Sequence, residues 1–318
     1  MLRSANRNSR TNKGSCRLSA VCCQRKKRPM PKKNKTPNPE FETLHELKKK
    51  SEEGRYKVGL ALCGGIAYGV AQIGVLKALE DEGIKVDCLA GTSAGAIIAA
   101  AYASGLPVSR IAEIGINTNW GELFSFRPSR KGLVSSGPIE EYIRKYLKVD
   151  NFEQLKKPLA VVTTDICSGE EVIFTRGALD KAVRASCSIP GIYTPVELEG
   201  RQLADGGMAE NVPVKALRSL GADVVIAVNL FGHHQVFPPA SNVFQILMRV
   251  WYFFVREESA WREQSDVIVE PDLRLFDLFD FSSGKEIIAA GEKEAKKQMP
   301  KIKQVIQRRS FFRPEIYR

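Results

Sequence analysis

Short apolar runs that end in glycine turns alternate along the chain with segments whose apolar positions recur every three or four residues, the pattern of successive βα units. Val58-Gly59-Leu60-Ala61-Leu62 is apolar on both faces, as expected of a strand buried in a parallel sheet, and it runs into Cys63-Gly64-Gly65. A helix is predicted from about Ala67 to Glu82, with Val70, Ile73, Leu76 and Leu79 on one face and Gly83 as its stop. A second strand over 84–90 enters Gly91-Thr92-Ser93-Ala94-Gly95, and the small residues from Ala94 to Ala103 predict a close-packed helix that stops near Gly105. Right-handed crossover makes these two strands parallel, so both glycine turns fall at the carboxyl edge of the sheet, where α/β proteins build their ligand sites.

The pattern between 106 and 155 is mixed and helical: a helix near 107–116, Trp120 to Phe126, a basic loop from Arg127 to Lys131, and Gly137-Pro138 opening a helix through Leu147. This stretch is expected to cap the glycine turns. Pro158 to Asp165 is the next buried strand, and Glu171 to Phe174 pairs with it as a hairpin across Ser168-Gly169. A small-residue helix around 178–187 follows, and 222–230 and 266–270 supply further strands. Phe244 to Trp261 reads as one helix carrying Ile246, Leu247, Val250, Trp251, Phe253 and Phe254. Core packing is the first expectation for that face, and contact with acyl chains or a bilayer surface is the alternative. The fold class that follows is α/β, a mainly parallel sheet flanked by helices.

Charge changes the picture at one end only. The 318 residues carry a formal net charge of +12, and residues 1–39 hold six Arg, six Lys and no acid, so the remainder is neutral. Residues 1–40 are expected to be a disordered basic tail and 41–318 one hydrolytic domain, entered through a charged helical segment from Phe41 to Lys57. The tail suits a dispensable extension or organelle-type presequence, a start upstream of Met30, or an arm for anionic membranes; nucleic acid is not an expected partner. Seven cysteines without metal-ligand spacing fit a reducing, cytoplasmic setting, and three histidines argue against a zinc or di-iron site; no metal and no cofactor are expected. No run approaches the ~18 apolar residues of a spanning helix, and no apolar signal segment opens the chain.

The chemistry concentrates at Ser93. A strand, a tight Gly-x-Ser-x-Gly turn and a helix form a nucleophile elbow, whose small neighbours let the hydroxyl project from a strained turn. The helix N-terminus directs free N–H groups at any oxyanion formed there. Gly64 and Gly65 are the candidate oxyanion hole, together with the N–H of Ala94; a dinucleotide loop is the alternative, but Gly64, Gly65 and Gly69 do not fit Gly-x-Gly-x-x-Gly. Asp205-Gly206-Gly207 is a second feature, taken alone either a plain turn or part of the chemistry. His233-His234, between Gly232 and Pro238-Pro239, reads as a solvated loop.

With these elements in hand the chain resembles the patatin-like phospholipases, in particular the compact bacterial members related to the catalytic domain of neuropathy target esterase. The resemblance covers about 56–300. It rests on Gly91-Thr92-Ser93-Ala94-Gly95, the glycine loop with Ala71-Gln72-Ile73-Gly74-Val75-Leu76 behind it, Val183 to Gly191, and Asp205-Gly206-Gly207 followed by Asn211-Val212-Pro213-Val214. It implies a three-layer α/β/α fold and a Ser–Asp dyad, carried onto Ser93 and Asp205, with the oxyanion loop on Gly64 and Gly65. The implied substrate is a phospholipid or other acyl ester, with peripheral membrane contact as a further expectation. Two departures stand out: only Gly64 and Gly65 are adjacent, between Cys63 and Ile66, and Tyr68 holds the position of a basic residue. An impaired lipid-binding or scaffold protein and an acyltransferase using the same acyl-enzyme are the alternative functions.

Overall fold

Five residues of unbroken apolar character, Val58–Leu62, form the central strand β1, and all five are buried. The computed structural model describes residues 56–123, 125–129, 132–256 and 260–311; the expected basic tail, nearly all of the charged segment before β1 and three of the seven cysteines lie outside them. The strands are β2 (Cys88–Thr92), β3 (Ser125–Ser129), β4 (Gly132–Ser135), β5 (Leu159–Asp165), β6 (Glu171–Phe174), β7 (Val196–Leu198), β8 (Arg201–Asp205), β9 (Val224–Val228) and β10 (Val267–Val269). The main sheet runs β10-β9-β1-β2-β5-β8-β7, with β6 also paired to β5. The first five strands of that order are mutually parallel, while β6 and β8 are antiparallel to β5 and β7 is antiparallel to β8. The result is a mixed, mostly parallel sheet, buried because helices cover both faces.

The helices are α1 (Ala71–Asp81), α2 (Ala94–Ala103), α3 (Val108–Asn117), α4 (Trp120–Leu123), α5 (Pro138–Leu147), α6 (Leu179–Ser186), α7 (Gly207–Glu210), α8 (Val214–Ser219), α9 (Val243–Arg256), α10 (Ala260–Glu263) and α11 (Gly284–Phe311). α1 and α11 cross so closely that a Cβ on Gly74 would strike the backbone at Ile288, and one on Gly291 would strike the backbone at Ala71. Proline at the first turn of α5 is preorganised for helix, and Ile139, Tyr142, Ile143 and Leu147 form its buried face.

Two expectations change. The helix expected from Ala67 begins as a 3₁₀ turn, Ile66–Val70, and becomes α-helical only at Ala71. The expected basic loop is a hairpin, β3 and β4, whose tip at 130–131 lies outside the described residues. The helix expected over 244–261 is seen on both sides of 257–259, which lie outside the described residues, as α9 and α10. Of the face expected to pack in the core only Trp251 and Trp261 are buried, beside Met248, Tyr252 and Val255, whereas Ile246, Leu247, Val250, Phe253 and Phe254 are exposed.

Candidate active site

Ser93 sits between the end of β2 and the first turn of α2 with φ 52° and ψ −124°, a left-handed conformation that L residues adopt at a cost of roughly 1–3 kcal/mol. The flanking glycines permit the turn: a Cβ on Gly91 would strike the backbone at Ala96, and one on Gly95 the carbonyls of Leu62 and Cys63. The strain is held by a relay, since the Ser93 N–H donates to Ser186 Oγ at 2.8 Å and that hydroxyl donates to the Val162 carbonyl at 2.6 Å. Ser186 thus reaches from α6 to fix the elbow against β5.

Asp205 closes β8 and is fully buried. Its carbonyl accepts from Thr164 Oγ1 at 2.9 Å and its N–H donates to the Ser188 carbonyl at 2.9 Å, which fixes the backbone. Oδ1 accepts from the Gly207 N–H at 2.8 Å. The Ser93 hydroxyl faces the same carboxyl without closing a well-formed hydrogen bond, and the buried Oδ2 has no hydrogen-bond partner. Burial pushes the Asp205 pKa from 3.8 up to about 7, against the opposing pull of the Gly207 N–H and the Ser93 hydroxyl.

The two glycines of the first turn are not equivalent. Gly64 packs against the Ser93 side chain, but its N–H donates to Asn211 Oδ1 at 3.2 Å. That donor, one of the expected oxyanion groups, is therefore engaged by the side chain that ends α7. The loop is anchored behind by the Cys63 carbonyl, which accepts from Gln72 Nε2 at 2.9 Å, and by Cys63 Sγ, which accepts from the Leu230 N–H at 3.3 Å. Burial raises the Cys63 thiol to about 12, so it is a packing group rather than a nucleophile. Ile66 adopts φ 48°, an outlier for a β-branched residue. Tyr68, where the resemblance calls for a basic residue, turns away from Ser93 and donates to the Phe276 carbonyl at 2.7 Å and to Gln235 at 3.2 Å.

Over Ser93 opens an apolar cleft lined among others by Ile66, Val70, Ile97, Leu123, Ile189 and Phe281. Beyond it a smaller, narrow apolar pocket shares Ile97, Ile98, Gly115 and Tyr142 and extends to Ile111, Tyr146 and Leu147. Its walls come from α2, α3 and α5, so the segment expected to cap the glycine turns does lie over Ser93. Cys187 lines the cleft beside Ser93, its thiol raised by burial and by the nearby Asp205 charge. Neither His233 nor His234 lines the cleft, and a ring nitrogen of His233 lies 3.3 Å from the Glu270 carbonyl.

Serine elbow, glycine loop and buried carboxyl on one edge of a mostly parallel sheet define an α/β protein of the nucleophile-elbow type. The model of the patatin-like phospholipase family matches residues 60–218, half of the chain, and the chain belongs to that family. Among its relatives is an uncharacterised NTE family protein of Mycobacterium bovis, 36% identical over 185 residues that make up 55% of this chain and 49% of the relative. Another is a lysophospholipase of Neurospora crassa, 31% identical over 68% of this chain but only 14% of its own length. The chain thus spans about half of the mycobacterial relative and a small part of the fungal one. Among solved structures, VipD from Legionella pneumophila aligns with a TM-score of 0.45 and 14% identity over 80% of this chain and 68% of its own. ExoU from Pseudomonas aeruginosa aligns at 0.46 and 17%, over 81% and 54%.

The sequence did not single out Ser186, Asn211 as the partner of Gly64, or Tyr142 and Ile97 as cleft walls. Ser186 and Asn211 both lay within motifs that carried the resemblance, though without a role; Tyr142 and Ile97 depend on contacts between distant segments.

Proposed function

We propose that the protein is a serine lipid acyl hydrolase that cleaves a fatty-acyl ester of a phospholipid or lysophospholipid through an acyl-enzyme. One observation carries this reading: a strained serine faces a buried carboxyl whose pKa is pushed up to about 7, at the floor of an apolar cleft. Ser93 Oγ attacks the ester carbonyl while its proton passes to Asp205, and the leaving alcohol takes that proton as the C–O bond breaks. Water then attacks the acyl-enzyme, gives its proton to Asp205, and the Ser93 hydroxyl is restored as the fatty acid departs. An unperturbed aspartate is a poor base, and burial raises this one toward working pH.

With the Gly64 N–H held by Asn211, the oxyanion donors assigned here are the N–H groups of Gly65 and Ala94. Ala94 opens α2, where no carbonyl one turn earlier competes for its N–H and the helix dipole favours negative charge. The apolar cleft and the cavity behind it provide a path for one acyl chain between α2, α3 and α5. The fungal relative's name, a lysophospholipase, agrees with an acyl-ester substrate.

The alternative of an impaired lipid-binding protein draws on Ile66, which brings a strained β-branched residue into the glycine loop. Labelling with an active-site-directed fluorophosphonate separates the two. The expected result is a single adduct on Ser93, with labelling and ester hydrolysis both abolished by Ser93→Ala. An unlabelled wild-type protein that still binds lipid would instead establish the impaired form.

A further inference from the structure

The helix α9 has the inverse of a surface helix's polarity. Its exposed side chains Val243, Ile246, Leu247, Val250, Phe253 and Phe254 are all apolar. Its polar residues Gln245, Arg249 and Arg256 are each half-buried. The exposed positions recur at intervals of three and four and form one continuous stripe, opposite the inner stripe of Met248, Trp251, Tyr252 and Val255 that is anchored in the core. A helix that is apolar on both faces is normally buried or in contact with lipid. An outer stripe of six large side chains is beyond the scattered apolar exposure usual on a soluble surface.

We propose that this stripe is an interfacial docking surface for an anionic phospholipid bilayer, lying in the headgroup and acyl boundary beside the Ser93 cleft. Three observations favour lipid over a protein partner or a second copy. The first is position: β1, β2, β9 and β10 are parallel, so the loops after β9 and β10 leave the same sheet edge as the Ser93 elbow. The loop after β9 presents Val236 at 83% exposure and leads into α9; the loop after β10 presents Leu275 at 95% exposure and then lends Phe281 to the cleft. Gln235 and Tyr68 tie the two loops together at the Phe276 carbonyl.

The second is charge. From Phe231 to Arg256 there is no acidic residue, and α9 carries Arg249 and Arg256. Arg249 holds its guanidinium over the Phe237 ring at 5.2 Å, which keeps a cation at the margin of the apolar stripe, where lipid phosphates would lie. The third is composition, since phenylalanines beside branched aliphatic side chains, with arginines at the margin, suit the interfacial zone. At its inner face Val255 packs against Gly207, two residues from Asp205. The docked helix would therefore bear directly on the turn that holds the proposed base.

The proposal uses the hydrolase reading only to place the surface beside the cleft, and its test reads binding separately from turnover. Full-length protein carrying Ser93→Ala, which leaves vesicles intact, is floated with phosphatidylcholine vesicles containing or lacking phosphatidylglycerol. Wild-type α9 is expected to bind the anionic vesicles, and Ile246→Ser/Val250→Ser/Phe254→Ser to lower the partition coefficient at least tenfold. In the otherwise native enzyme the same three changes, at exposed positions, should leave turnover of a soluble short-chain ester within twofold. The tryptophan introduced by Val250→Trp should be quenched by brominated phospholipid. Undiminished flotation of the triple variant, or an unquenched tryptophan, would overturn the proposal. So would a wild-type dimer that the triple substitution converts to monomer without change in vesicle binding. Loss of soluble-ester turnover in the native enzyme, with flotation intact, would count against the hydrolase reading alone.

Discussion

Ser93 and Asp205 meet where β2 and β8 run end to end along one edge of β5, whose other edge is held by β6. Thr92 pairs with Val162 in the parallel β2–β5 ladder, so Ser93 comes level with Thr163, and Thr163 pairs with Asp205 in the antiparallel β5–β8 ladder. The reversal of β8 makes this possible: it brings a carboxyl from the end of an antiparallel strand to the carboxyl edge of a parallel one. A serine and an acid separated by 112 positions in sequence thus face each other without a histidine between them.

The first prediction concerns pH. A base must be ionised, so kcat/KM on a soluble ester should rise with pH and level off above an apparent pKa near the value of about 7 that burial gives Asp205. Asp205→Asn should lose at least ~10² in kcat, the lower end of what removing a general base costs, while the variant with both His233→Ala and His234→Ala stays within a few-fold. Stability should move the other way. A carboxyl whose folded pKa lies above its unfolded value holds its proton more tightly in the folded state. Its contribution is complete below its ordinary pKa of 3.8 and is lost as pH rises through about 7. Asp205→Asn removes that loss and should be more stable than wild type at pH 8, by on the order of a few kcal/mol, with the gain vanishing near pH 4. Denaturant melts at the two pH values check this, and an equal or lower midpoint for the variant at pH 8 would show that the carboxyl is not strained by burial.

Asn211 yields a second prediction. Its Oδ1 accepts the Gly64 N–H, and both it and Asp205 Oδ1 border the space beside Gly207. Asn211→Ala leaves the Gly64 N–H without its partner and frees the glycine loop, so kcat should fall about tenfold or more with KM little changed, as expected when an interaction made in the transition state is misplaced. Asn211→Asp keeps the acceptor and adds a carboxylate, which should move the pH–rate midpoint upward. An unshifted midpoint in an active Asn211→Asp enzyme would separate Asn211 from the carboxyl's environment.

How much of this was legible in the sequence depends on whether a feature is local. The bounds of β1 and α5 follow residue by residue, because an unbroken apolar run and a proline at the first helical turn act within a few positions. The glycine spacing around Ser93 marked the elbow for the same reason. The strands β7 and β8 escaped notice: they are three and five residues long, and β8 opens with Arg201 and Gln202, which break the apolar signal. The role of Ser186 was also hidden, since it exists only when α6 is folded against β2 and β5. On α9 the spacing correctly showed an apolar face, but periodicity cannot state whether anything covers it.

Ile66 tests whether the altered glycine loop is a burden. Left-handed backbone costs an L residue about 1–2 kcal/mol, and replacing Ile with Gly removes that strain but forfeits part of a half-buried side chain and about 0.5–1 kcal/mol of backbone entropy. The terms nearly cancel, so Ile66→Gly should change stability by less than about 1 kcal/mol, far less than the ~2–5 kcal/mol typical of truncating a buried isoleucine. Ile66→Val keeps the strain and loses a methylene, and should be no more stable than Ile66→Gly. Urea melts of the pair decide the matter, and a large loss in the glycine variant alone would mean that the φ of 48° carries little strain.

The last prediction concerns the length of the acyl chain. Ile97 is on the wall shared by the cleft at Ser93 and the smaller cavity behind it, where Tyr142, held by a 2.7 Å hydrogen bond between its hydroxyl and that of Thr118, forms the facing side. A chain attached at Ser93 must pass this point to reach Ile111 and Leu147, whereas a short chain ends before it. Ile97→Phe fills the passage with a ring that the half-exposed position can accept without repacking the core. Each methylene denied its apolar contact costs about 0.8 kcal/mol, so excluding only two of them lowers kcat/KM roughly tenfold or more. Turnover of a sixteen-carbon ester should therefore fall by at least that factor, while a four-carbon ester, which never reaches the constriction, should be cleaved within twofold of wild type. Equal losses on both esters would mean that the substitution disturbs the elbow itself. Equal retention would mean that the acyl chain leaves Ser93 by the open mouth of the cleft instead of passing between α2, α3 and α5.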